Sequence, residues 1–557
     1  MKSKIFFLLL ILNSVLLPAQ IRIDWQQCYG SMGNDDARGI IEKEGGYWVI
    51  GKAKEPSGMV TCENETGNAW LIEISSEGDL VEEHCINMGA SEKGGLFKSL
   101  RDDFYAIGMA PDTFSEKAQL NVTKINPDGE VVWTRNFGDK NKAFWHLPNG
   151  TTTADGGIIV GIDTQWAGGD ISNYYGIDDV WVIKVDSLGN LEWETTLGTN
   201  GDEIAGRYTL SRDGGYYVSM CGRPGNNGSI TACTPQTTDM YDGLLVKLDG
   251  NGQVLWNRCY AGSEDDQIYQ ALELDDGLLL LCDTQSDDRD AEGAGYHLGY
   301  PHGDEFYGKT CDIWLIKTDF DGNIIWSKCY GGTGHEFPLK VFQNEDGGFT
   351  VFGTTQSLDG DVASTSNMHP HQPEVGQKIW VFRIDAGGNM LWERAIGHYG
   401  NTPIYLGDVI KHDDVTYTLA ATSPGSSSTN TLYNGDLNCS NSEFCGYNNY
   451  WVLHITDIFN YDDPTGIEEQ PEVVPLQMKV HPNPATTWVA IDYILPNGNA
   501  KAELSVFNAM GVKVKQVELN GNQGQKVLDL RGLAPGVYFY TLCCGGLRQT
   551  DKLVLVR

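Results

Sequence analysis

Residues 312–332 read DIWLIKTDFDGNIIWSKCYGG, and this stretch decides the fold. It holds an apolar strand that ends at Lys317, a turn rich in Asp, Gly and Asn, and a second strand that ends in a Tyr-Gly-Gly corner. Glycine and asparagine supply the left-handed backbone conformations that tight hairpin turns require. The stretch therefore predicts an antiparallel β-hairpin.

The same hairpin recurs along residues 20–458. Its first strand returns as Trp70–Glu73, Trp181–Lys184 and Trp380–Arg383, with weaker copies at 120–124, 244–247 and 451–454. An acidic pair after the corner opens a further strand in several copies, and an Asp-Gly-Gly turn leads into a fourth. Four short strands per unit in seven units predict an all-β chain with a seven-bladed β-propeller. Six or eight blades are the alternatives.

The two ends of the repeat region predict how the ring closes. The seventh unit reaches residues 451–455 and then lacks its outer strand, whereas residues 21–30 form an outer strand with no unit of their own. Pairing the N-terminal strand with the last unit would remove an exposed sheet edge. A linear solenoid would instead need capping units, which the sequence lacks.

The flanking segments predict export. Lys2 and Lys4 precede an apolar run at 5–17, so residues 1–19 are expected to be a signal peptide. No comparable apolar run follows, and no transmembrane segment is predicted. Residues 459–474 are acidic, contain prolines and lack strand periodicity, which is typical of a linker.

The charge of the chain excludes one class of partner. The net charge is −36, and such a field repels phosphate backbones, so no nucleic acid partner is expected. Residues 475–557 nevertheless carry nine basic and five acidic side chains. This reversal of sign predicts a separate C-terminal module, which the alternating strand pattern indicates to be a small Ig-like β-sandwich.

That module carries a set of motifs in a fixed order. They comprise the segment His481–Ala485, a Met-Gly turn, the Leu-Ala-Pro-Gly-Val-Tyr segment and the last strand, with the key residues Pro482, Asn483, Pro484, Gly511, Gly536 and Lys552. The module resembles a type A sorting domain of the type IX secretion system of Bacteroidota. The resemblance implies recognition by the type IX translocon and its C-terminal signal peptidase. It further implies passage through the periplasm and outer membrane to a secreted or cell-surface location.

The repeats also resemble tryptophan-rich propellers of secreted Bacteroidota proteins, with some likeness to quinoprotein-type repeats. The resemblance identifies a fold more than an activity. An ordinary carbohydrate-binding β-sandwich is the competing interpretation of the C-terminal module.

The chain has thirteen cysteines, which in an exported protein predict disulfides. Cys28, Cys85, Cys259 and Cys329 share one position after the outer-strand tryptophan or its equivalent, and each of their units has a further cysteine in a long loop. The predicted bridges are Cys62–Cys85, Cys233–Cys259, Cys311–Cys329 and Cys28 with Cys439 or Cys445. Cys221 and Cys282 are competing partners, and Cys439–Cys445 is a local alternative.

Long loops before the tryptophan strands form the predicted ligand face. Planar aromatic rings flanked by Asp and Asn suit sugar faces and hydroxyls. The ligand-binding candidates are Trp166, Tyr174, Tyr175, His297, His302, Asp304, His369 and His371. Asp359 and Asp361 are candidate ligands of calcium, which is the one cofactor that the sequence suggests. The recurring acidic residues that open the first strands are expected to cap backbone amides.

The sequence contains no nucleophile elbow, zinc-helix motif or phosphate-binding glycine loop. No catalytic residues are therefore predicted. The predicted function is an exported binding propeller with a glycan or protein ligand. The alternatives are a polysaccharide-active enzyme that uses the same loops, and a structural component of the cell surface or a matrix.

Overall fold

The computed structural model describes residues 21–53, 56–61, 68–87, 95–98, 103–111, 118–142, 144, 148–223, 225, 227–230, 240–299, 309–362, 376–397, 403–424, 448–457, 477–494, 501–508, 513–520, 523–544 and 547–556. The predicted signal peptide and linker lie outside these residues. So do several predicted site and disulfide residues, namely Cys62, Cys233, His302, Asp304, His369, His371, Cys439, Cys445 and Gly511.

The chain divides into two compact units, Met1–Asn460 and Tyr461–Arg557. The described residues of both units are built from β-strands, apart from one short 3₁₀ turn at Arg289–Ala291. No helix among them is long and apolar enough to cross a membrane.

The first unit contains twenty-eight of the described strands. In chain order they are β1 (Ile21–Tyr29), β2 (Asp36–Lys43), β3 (Gly46–Lys52), β4 (Asn68–Ser75), β5 (Leu80–Asn87), β6 (Gly95–Lys98), β7 (Phe104–Pro111), β8 (Ala118–Ile125), β9 (Val131–Phe137), β10 (Asn149–Thr152), β11 (Ile158–Thr164), β12 (Asp179–Val185), β13 (Leu191–Leu197), β14 (Asp202–Leu210), β15 (Tyr216–Arg223), β16 (Asp242–Leu248), β17 (Val254–Tyr260), β18 (Asp266–Glu273), β19 (Leu278–Thr284), β20 (Asp312–Thr318), β21 (Ile324–Tyr330), β22 (Glu336–Gln343), β23 (Phe349–Thr355), β24 (Lys378–Ile384), β25 (Met390–Ile396), β26 (Tyr405–Lys411), β27 (Thr416–Pro424) and β28 (Asn448–Asp457).

These strands form seven four-stranded antiparallel sheets. Sheets 1 to 6 are the consecutive groups β2–β5, β6–β9, β10–β13, β14–β17, β18–β21 and β22–β25. Sheet 7 has the order β26-β27-β28-β1, so the N-terminal strand is its outer strand. The first strand of each sheet contacts the first strand of the next, and β26 contacts β2. The unit is therefore a propeller-like ring.

Burial follows position within each sheet. The third strands are buried along almost all of their length, as in β12 and β20, whereas the outer strands are half-buried or exposed before their buried ends. Tryptophans of the third strands, such as Trp181 and Trp314, are fully buried between neighbouring sheets. Burial of such a large apolar surface stabilises the sheets that carry these tryptophans.

The buried indole N–H groups of these tryptophans have a recurring partner on the outer strand. Trp181 donates to Glu194 at 3.0 Å and Trp314 donates to Ser327 at 2.7 Å, in both cases across thirteen positions. In sheet 7 the corresponding donor is Trp451, and its acceptor is Gln26 of β1 at 3.0 Å. The N-terminal strand thus supplies the bond that an outer strand supplies within sheets 1, 3, 5 and 6.

The Asp-Gly-Asn turns that the sequence predicts join the third and outer strands. In the first of them, the Asp186 carboxylate accepts the amides of Leu188 and Asn190 at 2.9 and 2.8 Å. Gly189 has φ of 88°, a conformation that glycine adopts without strain. The same carboxylate bonds recur at Asp249, Asp319 and Asp385.

The second unit contains two sheets. Its strands are β29 (Gln477–His481), β30 (Trp488–Ile494), β31 (Lys501–Asn508), β32 (Lys513–Asn520), β33 (Gln523–Asp529), β34 (Gly536–Cys544) and β35 (Leu547–Leu555). The sheet orders are β29-β30-β33 and β32-β31-β34-β35. Buried residues of both sheets, including Val489, Leu504 and Leu542, form one core.

The state of the described cysteines contradicts one of the predicted disulfide bridges. Cys28, Cys85 and Cys259 are disulfide-bonded, but their predicted partners lie outside the described residues, so the pairings stay predictions. Cys311 and Cys329 are both buried free cysteines, so the bridge predicted between them is wrong. Cys329 lies opposite Trp314 of β20, and Trp314 is three residues after Cys311 in the chain. Three strand residues span about 10 Å, which is too far for a disulfide.

Candidate functional site

One end of the ring carries the loops between the second and third strands and the corners that join consecutive sheets. We call this end the loop face. Its chemistry is dominated by carboxylates, which occur at the start of several strands.

The acidic residues that open the first strands cap backbone amides. Glu203 accepts the amide of Thr199 at 2.8 Å, four residues earlier in the chain. Asp266 and Glu336 accept the amides of Gly262 and Gly332 in the same way, at 2.6 and 3.1 Å, and Asp35 accepts that of Ser31. Each carboxylate also accepts a Ser or Thr hydroxyl. The recurring carboxylates therefore hold the corners in place, as their repetition in the sequence predicts.

Burial changes the acidity of these groups. Desolvation raises the pKa of Glu203, Asp266 and Glu336 to about 7 in each case, although hydrogen bonds to hydroxyls and amides oppose the shift. Neighbouring carboxylates add repulsion. These groups hold a proton over part of the neutral range.

A second set of carboxylates opens the third strands. Asp179 accepts the Tyr175 amide at 2.5 Å, and burial raises the pKa of Asp179 to about 6. Asp312 is fully buried and accepts both the amide and Nδ1 of His297, at 2.8 and 2.9 Å. The bond to Asp312 is the main cause of the raised pKa of His297. The predicted candidate His297 is thus anchored to the fold.

The calcium candidates are also engaged. Asp359 accepts the amide and hydroxyl of Thr333, and Asp361 accepts the Gly331 amide at 3.3 Å. Asp361 lies 4.0 Å from Nε2 of His297. In the part of the chain that the structure describes, no group of three or more His, Cys, Asp or Glu is arranged to hold a metal ion.

Two predicted aromatics are exposed on the loop face. Tyr174 and Tyr175 follow β11 and are 38% and 40% exposed, and the hydroxyl of Tyr174 donates to the carbonyl of Ile177 at 3.0 Å. Ile177 itself donates its amide to Gly201. These bonds fix the loop against the corner between sheets 3 and 4.

A third tyrosine meets the same corner from sheet 4. The Tyr241 hydroxyl donates to Asp202 at 2.8 Å, next in sequence to Gly201. The guanidinium of Arg223 stacks over the Tyr241 ring at 4.3 Å. We call Tyr174, Tyr175, Tyr241, Asp202 and Arg223 the tyrosine corner cluster. The sequence prediction missed its last three members, because only the fold brings 202, 223 and 241 together.

Trp166 differs from the other predicted aromatics. Its ring packs against Phe144 with centroids 5.5 Å apart, and it lies at the edge of the core between sheets 2 and 3. Lys142 lies over the same ring at 5.7 Å. Trp166 is therefore half-buried and packs against the core, and its role in ligand binding stays a prediction.

In the second unit, the sorting motif binds the last strand. The Asn483 side chain donates to the carbonyl of Lys552 at 2.7 Å and accepts the amide of Val554 at 2.9 Å. The peptide bonds before Pro482 and Pro484 are cis. Gly536 begins β34, which pairs with the same last strand, β35.

Comparison with known proteins identifies this module. Residues 479–556 match the secretion system C-terminal sorting domain, which confirms the predicted sorting domain. The chain is a substrate of type IX secretion, exported to the cell surface or the extracellular space, and it interacts with the type IX machinery. None of the curated proteins matches the sequence significantly.

Solved structures resemble the chain only distantly. An α-L-arabinofuranosidase from Fusarium graminearum is 8% identical, with coverage of 59% of this chain and 93% of that chain and a TM-score of 0.35. A Pseudomonas brassicacearum lignostilbene dioxygenase is 12% identical, with 64% and 72% coverage and a TM-score of 0.36. A Penicillium chrysogenum α-L-arabinanase is 8% identical, with 65% and 92% coverage and a TM-score of 0.33. Similarity at this level assigns no activity to this chain.

Proposed function

We propose that this exported protein is a non-enzymatic binding protein that takes a glycan on the loop face of a seven-bladed propeller. The seven sheets and the outer position of β1 support a propeller of residues 20–458 that the N-terminal strand closes. The two sheets of the second unit support an Ig-like sandwich over residues 475–557. The type IX translocon delivers the protein, and the C-terminal signal peptidase cleaves near the 459–474 linker.

The observation that carries this proposal is the tyrosine corner cluster. Tyr174 and Tyr175 offer about two-fifths of their surface to solvent on a loop that backbone bonds hold in place. Sugar rings stack on such exposed aromatic faces, and their hydroxyls pair with carboxylate, amide and guanidinium groups. Asp202 and Arg223 supply these polar groups at the same corner.

The use of the loop-face carboxylates favours binding over catalysis. A glycosidase needs one carboxylate free to attack or activate water and a second one to protonate the leaving group. Glu203, Asp266 and Glu336 instead accept backbone amides and hydroxyls, and their side chains are buried. A carboxylate that holds a corner cannot approach a sugar without breaking that corner.

The test is a glycan-array screen of the mature exported protein, compared with a Tyr174→Ala/Tyr175→Ala double variant. Phe320→Ala is the matched control, because Phe320 is 46% exposed on a turn at the opposite end of its sheet. Selective binding that the double variant loses and the control keeps supports the proposal. A blank array, binding that survives the double substitution, or release of shortened glycan contradicts it.

A further inference from the structure

The ring of first strands surrounds an open cavity of about 950 Å³. Each of the seven first strands contributes to its wall, from Arg38 of β2 to Asp408 of β26. A volume of this size is in the range of small-molecule sites. Apolar side chains such as Leu96, Phe97 and Leu339 line part of it.

A β-bulge recurs in the first strands at the level of this cavity. The register shifts after Ala37 in β2, Ala205 in β14, Ile268 in β18, Pro338 in β22 and Leu406 in β26. Bulges redirect side chains away from the alternation of the strand. The bulged residues include Arg38 and Arg207, and both line the cavity. The repeated bulge thus brings two arginines from separate sheets into one interior.

The repeat also places the other polar groups of the wall. Arg207, Gln270 and Lys340 each lie four positions after the carboxylate that opens their strand, namely Glu203, Asp266 and Glu336. Equivalent positions in a ring of similar sheets lie at a similar depth in the central cavity. All three residues belong to the wall.

The charges of this wall are unevenly paired. Lys340 Nζ lies 2.7 Å from Asp408 Oδ1, and Arg38 is bonded to Asp36. Arg207 has no ion pair or hydrogen bond to any other residue that the structure describes. Burial lowers the pKa of Arg207, which Asp408 partly offsets. Among the described cations of the wall, Arg207 is therefore the one without a direct ion pair, in a chain whose net charge is −36.

We propose that the central cavity binds a small oxyanion-bearing ligand, a carboxylate or a sulfate, and that Arg207 is its principal partner. A guanidinium presents two parallel N–H groups that match two oxygens of such an anion. The Gln270 side chain exchanges bonds with the Val341 backbone, so it fixes the wall rather than the ligand. The apolar residues of the wall accept the body of an organic anion.

The test is isothermal titration calorimetry. The mature exported protein is titrated with inorganic sulfate, with glucuronate and with glucose, at constant ionic strength set by sodium chloride. We expect sulfate or glucuronate to bind and the uncharged glucose not to bind at this site. Tighter binding of glucuronate than of sulfate identifies an organic ligand, and the reverse order identifies the free ion.

Variants assign the binding to the cavity. Arg207→Met should weaken binding about tenfold or more, because it removes charge-assisted hydrogen bonds. Arg212→Met is the matched control, since Arg212 is 57% exposed and pairs with Asp275 on the surface. Asp408→Asn should tighten binding roughly fivefold by removing a nearby like charge. A variant that fails to fold cannot bind more tightly, so an increased affinity of Asp408→Asn cannot result from misfolding.

If neither anion gives a measurable heat of binding, the proposal is overturned. It is also overturned if Arg207→Met and Asp408→Asn both leave the affinity unchanged. The proposal is independent of the glycan site. Tyr174→Ala/Tyr175→Ala should leave anion binding in the cavity intact.

Discussion

Nε1 of Trp451 donates a hydrogen bond to Oε1 of Gln26 at 3.0 Å, across 425 positions of sequence. Within sheet 3, the corresponding bond from Trp181 to Glu194 spans thirteen positions. The register is the same in both sheets, since Trp451 lies opposite Cys28 and Trp181 lies opposite Thr196, two residues beyond the respective acceptor. The two ends of the ring are thus joined by the same contact that stabilises sheets 1, 3, 5 and 6 internally.

Gln26→Ala should destabilise the ring by about 1–3 kcal/mol, because it leaves a fully buried indole N–H without its acceptor. Urea unfolding of the mature protein measures the loss. Gln27→Ala is the matched control, since Gln27 is adjacent in β1 and exposed. Equal losses from the two substitutions would show that the indole bond contributes nothing specific to closure.

The buried carboxylates of the loop face predict a dependence of stability on pH. Burial raises the pKa of Glu203 from its usual 4.5 to about 7. A raised pKa means that the folded state binds the proton more tightly than the unfolded state does. The contribution is fully present below about pH 4.5 and is lost as the pH rises through 7. The thermal midpoint should therefore be a few degrees higher at pH 5 than at pH 8.

Glu203→Gln removes one titrating group from this set. It should lower the difference between the midpoints at pH 5 and pH 8, with Glu44→Gln, an exposed residue, as the control. The ion pair between Asp155 and Lys184 acts in another pH window. Although burial opposes the shift, hydrogen bonds from Lys184, Thr153 and Gly157 lower the pKa of Asp155 to about 2. A midpoint that rises steadily from pH 5 to pH 8 would contradict the assignment.

Cysteine labelling should separate two classes of residue. Burial raises the pKa of the thiols of Cys221, Cys282, Cys311 and Cys329, and thiols without thiolate character react slowly. Iodoacetamide followed by peptide mapping should label these four only in denaturant. Cys28, Cys85 and Cys259 should require both denaturant and a reductant. Labelling of Cys28 without reductant would exclude a bridge at the ring closure.

Local sequence patterns predicted those features that repeat within one unit. The Asp-Gly-Asn turns are encoded by five adjacent residues, and the capping carboxylates by a four-residue spacing, so both can be recognised without the fold. The prediction of a Cys311–Cys329 bridge was wrong because it relied on equivalent positions in the repeat, which do not determine the distance between two cysteines. Bridging distance instead depends on where Cys311 falls relative to β20.

The candidate site was only partly predictable for the same reason. Tyr174 and Tyr175 belong to one loop, and their loop position predicted their exposure. Asp202, Arg223 and Tyr241 come from three separate segments of sheet 4, and the pairing of its strands brings them together at the corner beside that loop. The arginines of the cavity were missed because a bulge, which the alternation of apolar and polar residues does not reveal, turns them inward.

In the sorting domain, the Asn483 side chain holds the final strand, β35. Asn483 joins the start of the domain to its final strand, because it donates to the Lys552 carbonyl and accepts the Val554 amide. An aspartate at this position could replace only the accepting oxygen of Asn483. An alanine could replace neither the donating nor the accepting group. Asn483→Ala should therefore loosen β35 by about 1–3 kcal/mol, and Asn483→Asp by less.

Loss of that strand should reduce export, since the matched sorting domain extends through it to residue 556. Immunoblots of periplasm, cell surface and medium measure the outcome, and we expect Asn483→Ala to accumulate in the periplasm. Lys526→Ala, at an exposed position on β33, is the control. If Asn483→Ala is exported as efficiently as the control, the link between Asn483 and β35 is dispensable for recognition. The translocon would then depend on other parts of the domain.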